Sequence, residues 1–346
     1  MIESFLKIHP EFKLNGKEHS ISDLISKKNE FFFSKELTDF FLEWFNKKPV
    51  ITIATSGSTG KPKKVLLNKK YMIASAKNTG NYFKLKPGNK ALLCLPIKFI
   101  GGKMMIVRAL ILGLDLYLVK PSKSPIKEIF MTFDFVAMTP FQLQGSINFL
   151  HNIKCLIVGG GAVNDSLAQK IKNLPTKIFE TYGMTETMSH VAVKSLNNGK
   201  GVFSALPGIS FSVKNNCLEI MASYVSKDPI LTNDRVDLIS DTEFRWLGRE
   251  DFIINSGGIK LNPEKIENNL SAFFKIPFII SSTPDKSLGE QIVIVFEKEV
   301  PHNAHLIFDK LGKYERPKKT YTLSRFKKTN GKLDRIFIKN ELLKTL

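Results

Sequence analysis

The sequence predicts a large N-terminal α/β domain carrying a β-rich subdomain, followed by a small C-terminal α+β domain. Three observations carry this reading. Short apolar runs alternate with helix-length segments between Val50 and Thr181, the rhythm of strands joined by crossover helices. After about Ser195 the segments become short and alternating, as in a β-rich unit. A new set of helix and strand signals begins near Arg249. At about 150 residues per domain, 346 residues suit two domains, here 1–248 and 249–346.

Residues 1–48 carry helical stretches, with Phe40, Phe41, Trp44 and Phe45 at the spacing of a packed helix face. Pro49 ends that segment, and Val50–Ala54 reads as a buried strand. Ala91–Leu95, Leu114–Val119, Asp134–Met138, Cys155–Val158 and Lys177–Thr181 read as further strands, with helices at Gly102–Leu112 and Asp165–Asn173. Asn197, Asn198, Gly199 and Gly201 mark a loop. Ser210–Lys214, Cys217–Met221, Leu231–Thr232 and Phe244–Leu247 are the short segments of the β-rich part. Beyond Arg249 come a helix at Pro263–Leu270, strands at Phe278–Ser281 and Gln291–Phe296, a helix around His305–Gly312 and a basic tail. There is no internal repeat and no low-complexity segment.

Composition excludes several classes. With 43% hydrophobic and 24% charged residues the chain is globular, not disordered. No run reaches the roughly 18 apolar residues of a membrane span. The nearest, Met104–Val119, is broken by Arg108 and Asp115. The opening MIESFLKIHPEF lacks the basic and apolar regions of a signal peptide. Cys94, Cys155 and Cys217 lie far apart, without CxxC or zinc spacing, which suits a reducing compartment and a cytoplasmic location. The net charge of +19 leaves two readings open: a polyanionic or phosphorylated partner, or a lysine-rich surface that is simply solvated. The lysines are scattered, and neither an aromatic–basic ribonucleoprotein motif nor a recognition helix is present, so nucleic acid is not the expected partner.

Chemistry concentrates in a few motifs. Val50–Val65 reads VITIATSGSTGKPKKV, a strand running into Thr55, Ser56, Gly57, Ser58, Thr59, Gly60 and Lys61. Small residues let the backbone approach a ligand, and successive N–H groups, hydroxyls and a lysine can cradle phosphate oxygens. It is neither a Walker A loop, since Thr55 stands at the first glycine and Pro62 follows Lys61, nor GxGxxG. A flexible Ser/Gly surface loop is the alternative. Residues 181–187 read TYGMTET: an aromatic that can stack on adenine, a hydroxyl for a phosphate oxygen and a carboxylate for Mg2+. Gly159-Gly160-Gly161 follows an apolar strand, Asp234 sits in LTNDRV, residues 248–267 read GREDFIINSGGIKLNPEKIE, and Thr329–Arg335 reads TNGKLDR.

In this order, the motifs resemble the signatures of the acyl-adenylate-forming superfamily, which includes acyl-CoA synthetases, luciferases and peptide-synthetase adenylation domains. The stretch LPIKFIGGKMM from Leu95, with the TYGMTET core, is most similar to the bacterial o-succinylbenzoate–CoA ligase branch of menaquinone biosynthesis. Three departures stand out: Lys64 replaces a glycine, Asn233 replaces another, and the first signature begins early, as though about one N-terminal subdomain were missing or minimal.

The resemblance implies a magnesium- and ATP-dependent ligase that forms an acyl adenylate, then a thioester with coenzyme A. By the same resemblance residues 55–61 hold phosphates, Gly160, Tyr182 and Gly183 line the adenine site, Thr185 meets a phosphate and Glu186 carries Mg2+. Asp234 and Arg249 take the ribose or phosphate, and Asp251 is the hinge of a mobile C-terminal lid domain. Lys332 enters for adenylation, while Gly257 and Gly258 come to the pantetheine tunnel. Gly159, Gly161, His190 and Lys98 are assigned to the CoA or acyl pocket; His190 has a satisfied core histidine as its alternative reading. Transfer to a carrier-protein thiol, and a basic nucleic-acid-binding protein, remain the alternative functions.

Overall fold

The structure, a computed structural model, describes residues 7–26, 34–56, 62–197, 199, 201–302, 304–329 and 332–346, with backbone alone at 34, 54–56, 62, 63, 329 and 332. The short strands β1 (Lys13–Leu14) and β2 (Lys17–Glu18) precede helices α1 (Ile21–Ile25) and α2 (Ser34–Phe45). The strand expected after Pro49 is β3 (Val50–Ser56), but it joins no central sheet. It pairs antiparallel with β4 (Pro62–Asn68) in a separate hairpin. Gly57, Ser58, Thr59, Gly60 and Lys61 lie between these strands, outside the described residues.

Helix α3 (Lys69–Phe83), capped by the Asn68 side chain, leads to β5 (Lys90–Leu93), α4 (Ile100–Leu112) and β6 (Asp115–Leu118). Strand β7 (Phe133–Met138), α5 (Pro140–Ser146), β8 (Ile153–Val158), α6 (Asp165–Ile171) and β9 (Lys177–Gly183) follow. The chain then turns to antiparallel pairing in β10 (His190–Ser195) and β11 (Phe203–Ala205). Strands β12 (Ser210–Lys214), β13 (Cys217–Met221) and β14 (Ile230–Leu231) form a three-stranded sheet, while β15 (Asp234–Ser240) and β16 (Glu243–Arg249) return to the large one.

That large sheet has 11 strands in the order β15-β16-β11-β10-β9-β8-β7-β5-β6-β1-β2. From β9 to β1 all neighbours are parallel; from β9 to β15 they are antiparallel. The parallel part is covered on both faces, as such sheets require. On its strands Ala91, Leu93, Phe135, Ala137 and Ile157 point toward a core with α2, α3 and α4. Their alternates Leu92, Val136, Met138, Leu156 and Val158 pack under α5 and α6.

Past Arg249 a hairpin of β17 (Ile254–Ser256) and β18 (Ile259–Leu261) turns at Gly257-Gly258 and feeds α7 (Pro263–Leu270), which is capped by Asn262. Strands β19 (Phe278–Asp285) and β20 (Gly289–Glu297), helix α8 (Ala304–Phe308) and strand β21 (Lys319–Leu323) complete a five-stranded sheet with its packed helices. The expected basic tail is ordered instead. It forms the hairpin β22 (Lys328–Thr329) and β23 (Lys332–Leu333), then α9 (Arg335–Lys344), whose Ile338 and Leu342 bury against Ile279, Val293 and Val295. An i,i+4 pair of apolar residues is enough to seat this helix on the sheet. Among the described residues no helix is long and apolar enough to cross a membrane.

Candidate active site

Polar side chains converge beyond the carboxyl ends of β8 and β9, where parallel pairing gives way to antiparallel and an open α/β sheet leaves a crevice. Strand β8 ends at Val158 and runs into Gly159-Gly160-Gly161. A Cβ on Gly159 would lie 2.5 Å from the Thr181 Oγ1, so only glycine lets β9 press this close. The Thr181 hydroxyl donates to the Val158 carbonyl at 3.1 Å. One residue earlier, the buried Glu180 accepts from the Val163 N–H at 3.2 Å and pairs with Lys194 at 2.7 Å. The glycine loop is thus fixed to β9 by two consecutive residues.

At the end of β9 the Tyr182 hydroxyl donates to Asp234 Oδ2 at 2.6 Å, and Trp246 Nε1 donates to Asp234 Oδ1 at 3.0 Å. Burial, then the neighbouring Asp234 carboxylate, holds the phenol well above its ordinary value, so it stays a donor. The Tyr182 ring meets Phe244 edge-on at 5.1 Å. Asp234 also receives its own backbone order from Thr232, whose hydroxyl accepts the Asp234 N–H at 3.0 Å. Each carboxylate oxygen of Asp234 retains a second lone pair for a ligand hydroxyl. Two residues named separately by the sequence, Tyr182 and Asp234, are therefore one hydrogen-bonded unit.

The turn from β9 to β10 carries Thr185 and Glu186. The buried Thr187 side chain braces it, accepting from the Met184 N–H at 2.9 Å and reaching the Ser189 carbonyl at 2.6 Å. Gly183 is forced by the close return of the chain: a Cβ there would sit 2.2 Å from the Ser189 carbonyl oxygen. Glu186 is exposed, and no ion pair joins it among the described residues. No group of three His, Cys, Asp or Glu among them is built to hold a metal alone. A single free carboxylate suits Mg2+, which binds through one or two carboxylates and completes its shell with water and phosphate.

Arg249 ends β16 and pairs with Asp251 at 2.6 Å across the 3-10 turn Glu250–Phe252. Its backbone N–H donates to Glu264 of α7 at 2.8 Å, and the Glu250 N–H donates to the Asn233 carbonyl at 2.8 Å. The Asp251 segment is thereby tied to both the Asp234 loop and α7. Gly257 and Gly258, at φ 60° and 83°, form the tip of the β17–β18 hairpin. Lys332 pairs through its backbone with Thr329 in the β22–β23 hairpin; its side chain lies outside the described residues, as do those of Thr55 and Ser56.

The largest surprise lies behind the Glu186 turn. Arg108, at the middle of α4, is 1% exposed. Its Nη2 donates to Ser189 Oγ at 2.6 Å, three residues beyond Glu186, and its Nη1 meets the Met105 sulfur at 3.7 Å. Its Nε has no partner, and no carboxylate faces the group among the described residues. Burial pulls the guanidinium down to about 9, which leaves it cationic at neutral pH. His190, also buried, sits beside it, with Thr79 Oγ1 at 3.3 Å from Nε2 and Ser189 Oγ at 3.3 Å from Nδ1.

The sequence treats Arg108 only as the residue that breaks an apolar run. The signal was available: Met104, Met105, Ile111 and Leu112, the i±3 and i±4 neighbours, include no acid to pair with it. Lys98 is exposed over the Phe99 ring, at 5.0 Å. Lys103 of α4 is buried, 3.8 Å from Glu43 of α2.

The chain is 25% identical over 300 residues to the 2-succinylbenzoate–CoA ligase of Escherichia coli K12, covering 80% of this chain and 65% of the relative. It is 25% identical over 319 residues to that of Haemophilus influenzae, covering 82% and 68%. It thus spans about two thirds of the length of these relatives. A crystal structure described as an acyl-CoA synthetase (AMP-forming)/AMP-acid ligase II-like protein, from Dyadobacter fermentans, is 32% identical. It aligns over 94% of this chain and 99% of its own, with a TM-score of 0.62. The fold is shared with the Bacillus subtilis o-succinylbenzoate CoA synthetase, solved with its acyl-adenylate intermediate, at 21% identity and a TM-score of 0.75 over 83% and 68% of the two chains. Residues 34–216, more than half of the chain, match the AMP-binding enzyme family, and the protein belongs to that family.

Proposed function

We propose that the protein is an ATP-dependent acid–CoA ligase whose acid is o-succinylbenzoate, an aromatic dicarboxylate. Arg108 carries the choice of acid. Adenylation consumes one carboxylate of the substrate, whereas a buried guanidinium without an anion calls for another. A dicarboxylic acid supplies both, and the relatives at 25% identity are named as ligases of such an acid.

In the first half-reaction a carboxylate oxygen of the acid attacks the α-phosphorus of ATP and pyrophosphate leaves. No protein nucleophile is needed, so the chain contributes position and charge neutralisation. Tyr182, Asp234 and the Gly159–Gly161 loop hold the nucleoside, with Glu180 and Thr181 fixing that loop. Residues 55–61 and Thr185 hold the phosphate oxygens. Glu186 is the protein ligand for Mg2+, which neutralises charge on the polyphosphate when bound. Lys332 approaches the forming carboxyl–phosphate bond.

In the second half-reaction residues 249–346 rotate about Asp251 relative to 1–248, bringing Gly257 and Gly258 to the entrance. The CoA thiol attacks the acyl carbonyl, its proton passes to solvent, and AMP leaves. The net charge of +19 suits a ligand that carries the phosphates of CoA. The described cysteines, Cys94, Cys155 and Cys217, are free, and the reading includes a cytoplasmic location.

The test is AMP release with CoA across a panel of carboxylic acids. The reading expects o-succinylbenzoate to have the highest kcat/KM. A fatty acid or aryl monoacid ahead of it would refute the choice of acid.

A further inference from the structure

The proton arrangement around Arg108 runs in one direction. The Thr79 hydroxyl lies 3.0 Å from the Ser75 carbonyl, which can only accept, so the one Thr79 proton goes there. His190 Nε2, 3.3 Å from the Thr79 oxygen, must then donate to it. With Nε2 protonated, Nδ1 of a neutral imidazole is the acceptor. Arg108 can only donate, so Ser189 Oγ accepts from it at 2.6 Å and directs its own proton to His190 Nδ1 at 3.3 Å. The result is a relay from Arg108 through Ser189, His190 and Thr79 to the backbone of α3.

We infer that His190 is a positioning residue for Arg108: it fixes the Ser189 hydroxyl, and through it the guanidinium, in the pose that reads the second carboxylate of the acid. The inference rests on the proposed role of Arg108 and adds the device that sets its aim. The other Arg108 contacts among the described residues are long or weak, from Nη2 to His190 Nδ1 at 3.5 Å and from Nη1 to the Met105 sulfur at 3.7 Å, and Nε is unpartnered. The surroundings keep the histidine in its accepting form. Burial, then the nearby Arg108 charge, depresses its basicity well below the ordinary value. The Phe83 ring, edge-on at 6.2 Å, limits rotation of the imidazole. A cation held only by neutral dipoles keeps its charge available to a ligand, where a carboxylate in place of His190 would satisfy it permanently.

The test compares kcat/KM for o-succinylbenzoate with that for benzoylpropionate, the same acid without the ring carboxylate. His190→Phe keeps the bulk and removes the relay. It should cut the preference for the dicarboxylate about tenfold, by raising KM for o-succinylbenzoate more than for benzoylpropionate. His190→Asn, which offers an oxygen near the position of Nδ1, should restore most of the preference, and Ser189→Ala should mimic His190→Phe. If these variants slow both acids equally, His190 is core packing and the inference is overturned. If Arg108→Met itself leaves the preference intact, the reading of Arg108 fails and this inference with it. Loss of preference in Arg108→Met but not in His190→Phe or Ser189→Ala overturns the positioning role alone. Should His190→Phe not fold, His190→Asn and Ser189→Ala still decide.

Discussion

Two sides of one turn handle buried charge in opposite ways. On the nucleotide side the buried charges among the described residues have partners: Glu180 has Lys194 and the Val163 N–H, and Asp234 has Tyr182 and Trp246. On the other side Arg108 is fully buried and meets only a serine, a histidine and a thioether. A lone buried ion costs several kcal/mol, so folding alone gives no reason to keep it. In the proposed function the paired charges build the site and the unpaired one receives the acid. Buried charge by itself is ambiguous evidence of function, and the missing partner is the informative part.

The largest effect that can test this contrast is expected at Lys332. If it acts only while the acyl adenylate forms, Lys332→Ala should slow that half-reaction by about 10²–10³ and leave the conversion of supplied acyl adenylate and CoA near wild type. Asp251→Pro should do the reverse, because a fixed φ obstructs the swing. Rapid-quench measurement of each half-reaction decides, and equal loss in both halves for Lys332→Ala would assign the lysine a structural role. Next in size is a difference of sign. Glu180→Gln leaves Lys194 without its counter-charge and should lower stability by roughly 1–3 kcal/mol, read by urea unfolding. An equal or higher midpoint would break the claim that the nucleotide side is internally balanced.

The smallest effect concerns pH. His190 is held neutral in the fold, while in the unfolded chain it titrates near 6.5. Below that value the unfolded state binds the extra proton first, so stability should fall as pH drops from about 6.5 toward the depressed folded value, by at most about 1.4 kcal/mol per pH unit. His190→Asn should flatten that part of the profile, as measured by unfolding across the range. The dicarboxylate preference should show no inflection near pH 6.5 from His190, which stays neutral there in the fold.

Much of the site was legible because its chemistry is local in sequence. The strand ends, the TYGMTET turn and Asp234 are short motifs whose residue types state their use. What escaped depends on packing. Helix α3 gave little signal because its lysines, asparagines and glycine dilute the apolar face of Met72, Ile73 and Ala76. Strand β15, with Asp234, Arg235 and Asp237, looks like a loop until β16 pairs with it. Helix α9 was hidden by its basic residues. Arg108 was visible as a letter, but its isolation follows from α4 being buried against α3, β5 and β6 with its arginine reaching the start of β10, which no local pattern states.

The central claim is that Arg108 lacks an anion that the acid provides, and a ligand-dependent unfolding experiment on Arg108→Met tests it most directly. Without ligand, removing an uncompensated buried charge should raise stability by roughly 1–4 kcal/mol. With a non-hydrolysable ATP analogue present, o-succinylbenzoate should raise the Tm of the wild type well above the shift given by benzoylpropionate, and in Arg108→Met the two shifts should be equal. A destabilised Arg108→Met that still favours o-succinylbenzoate would contradict the account, because the arginine would then be a structural cation and the second carboxylate would be read elsewhere.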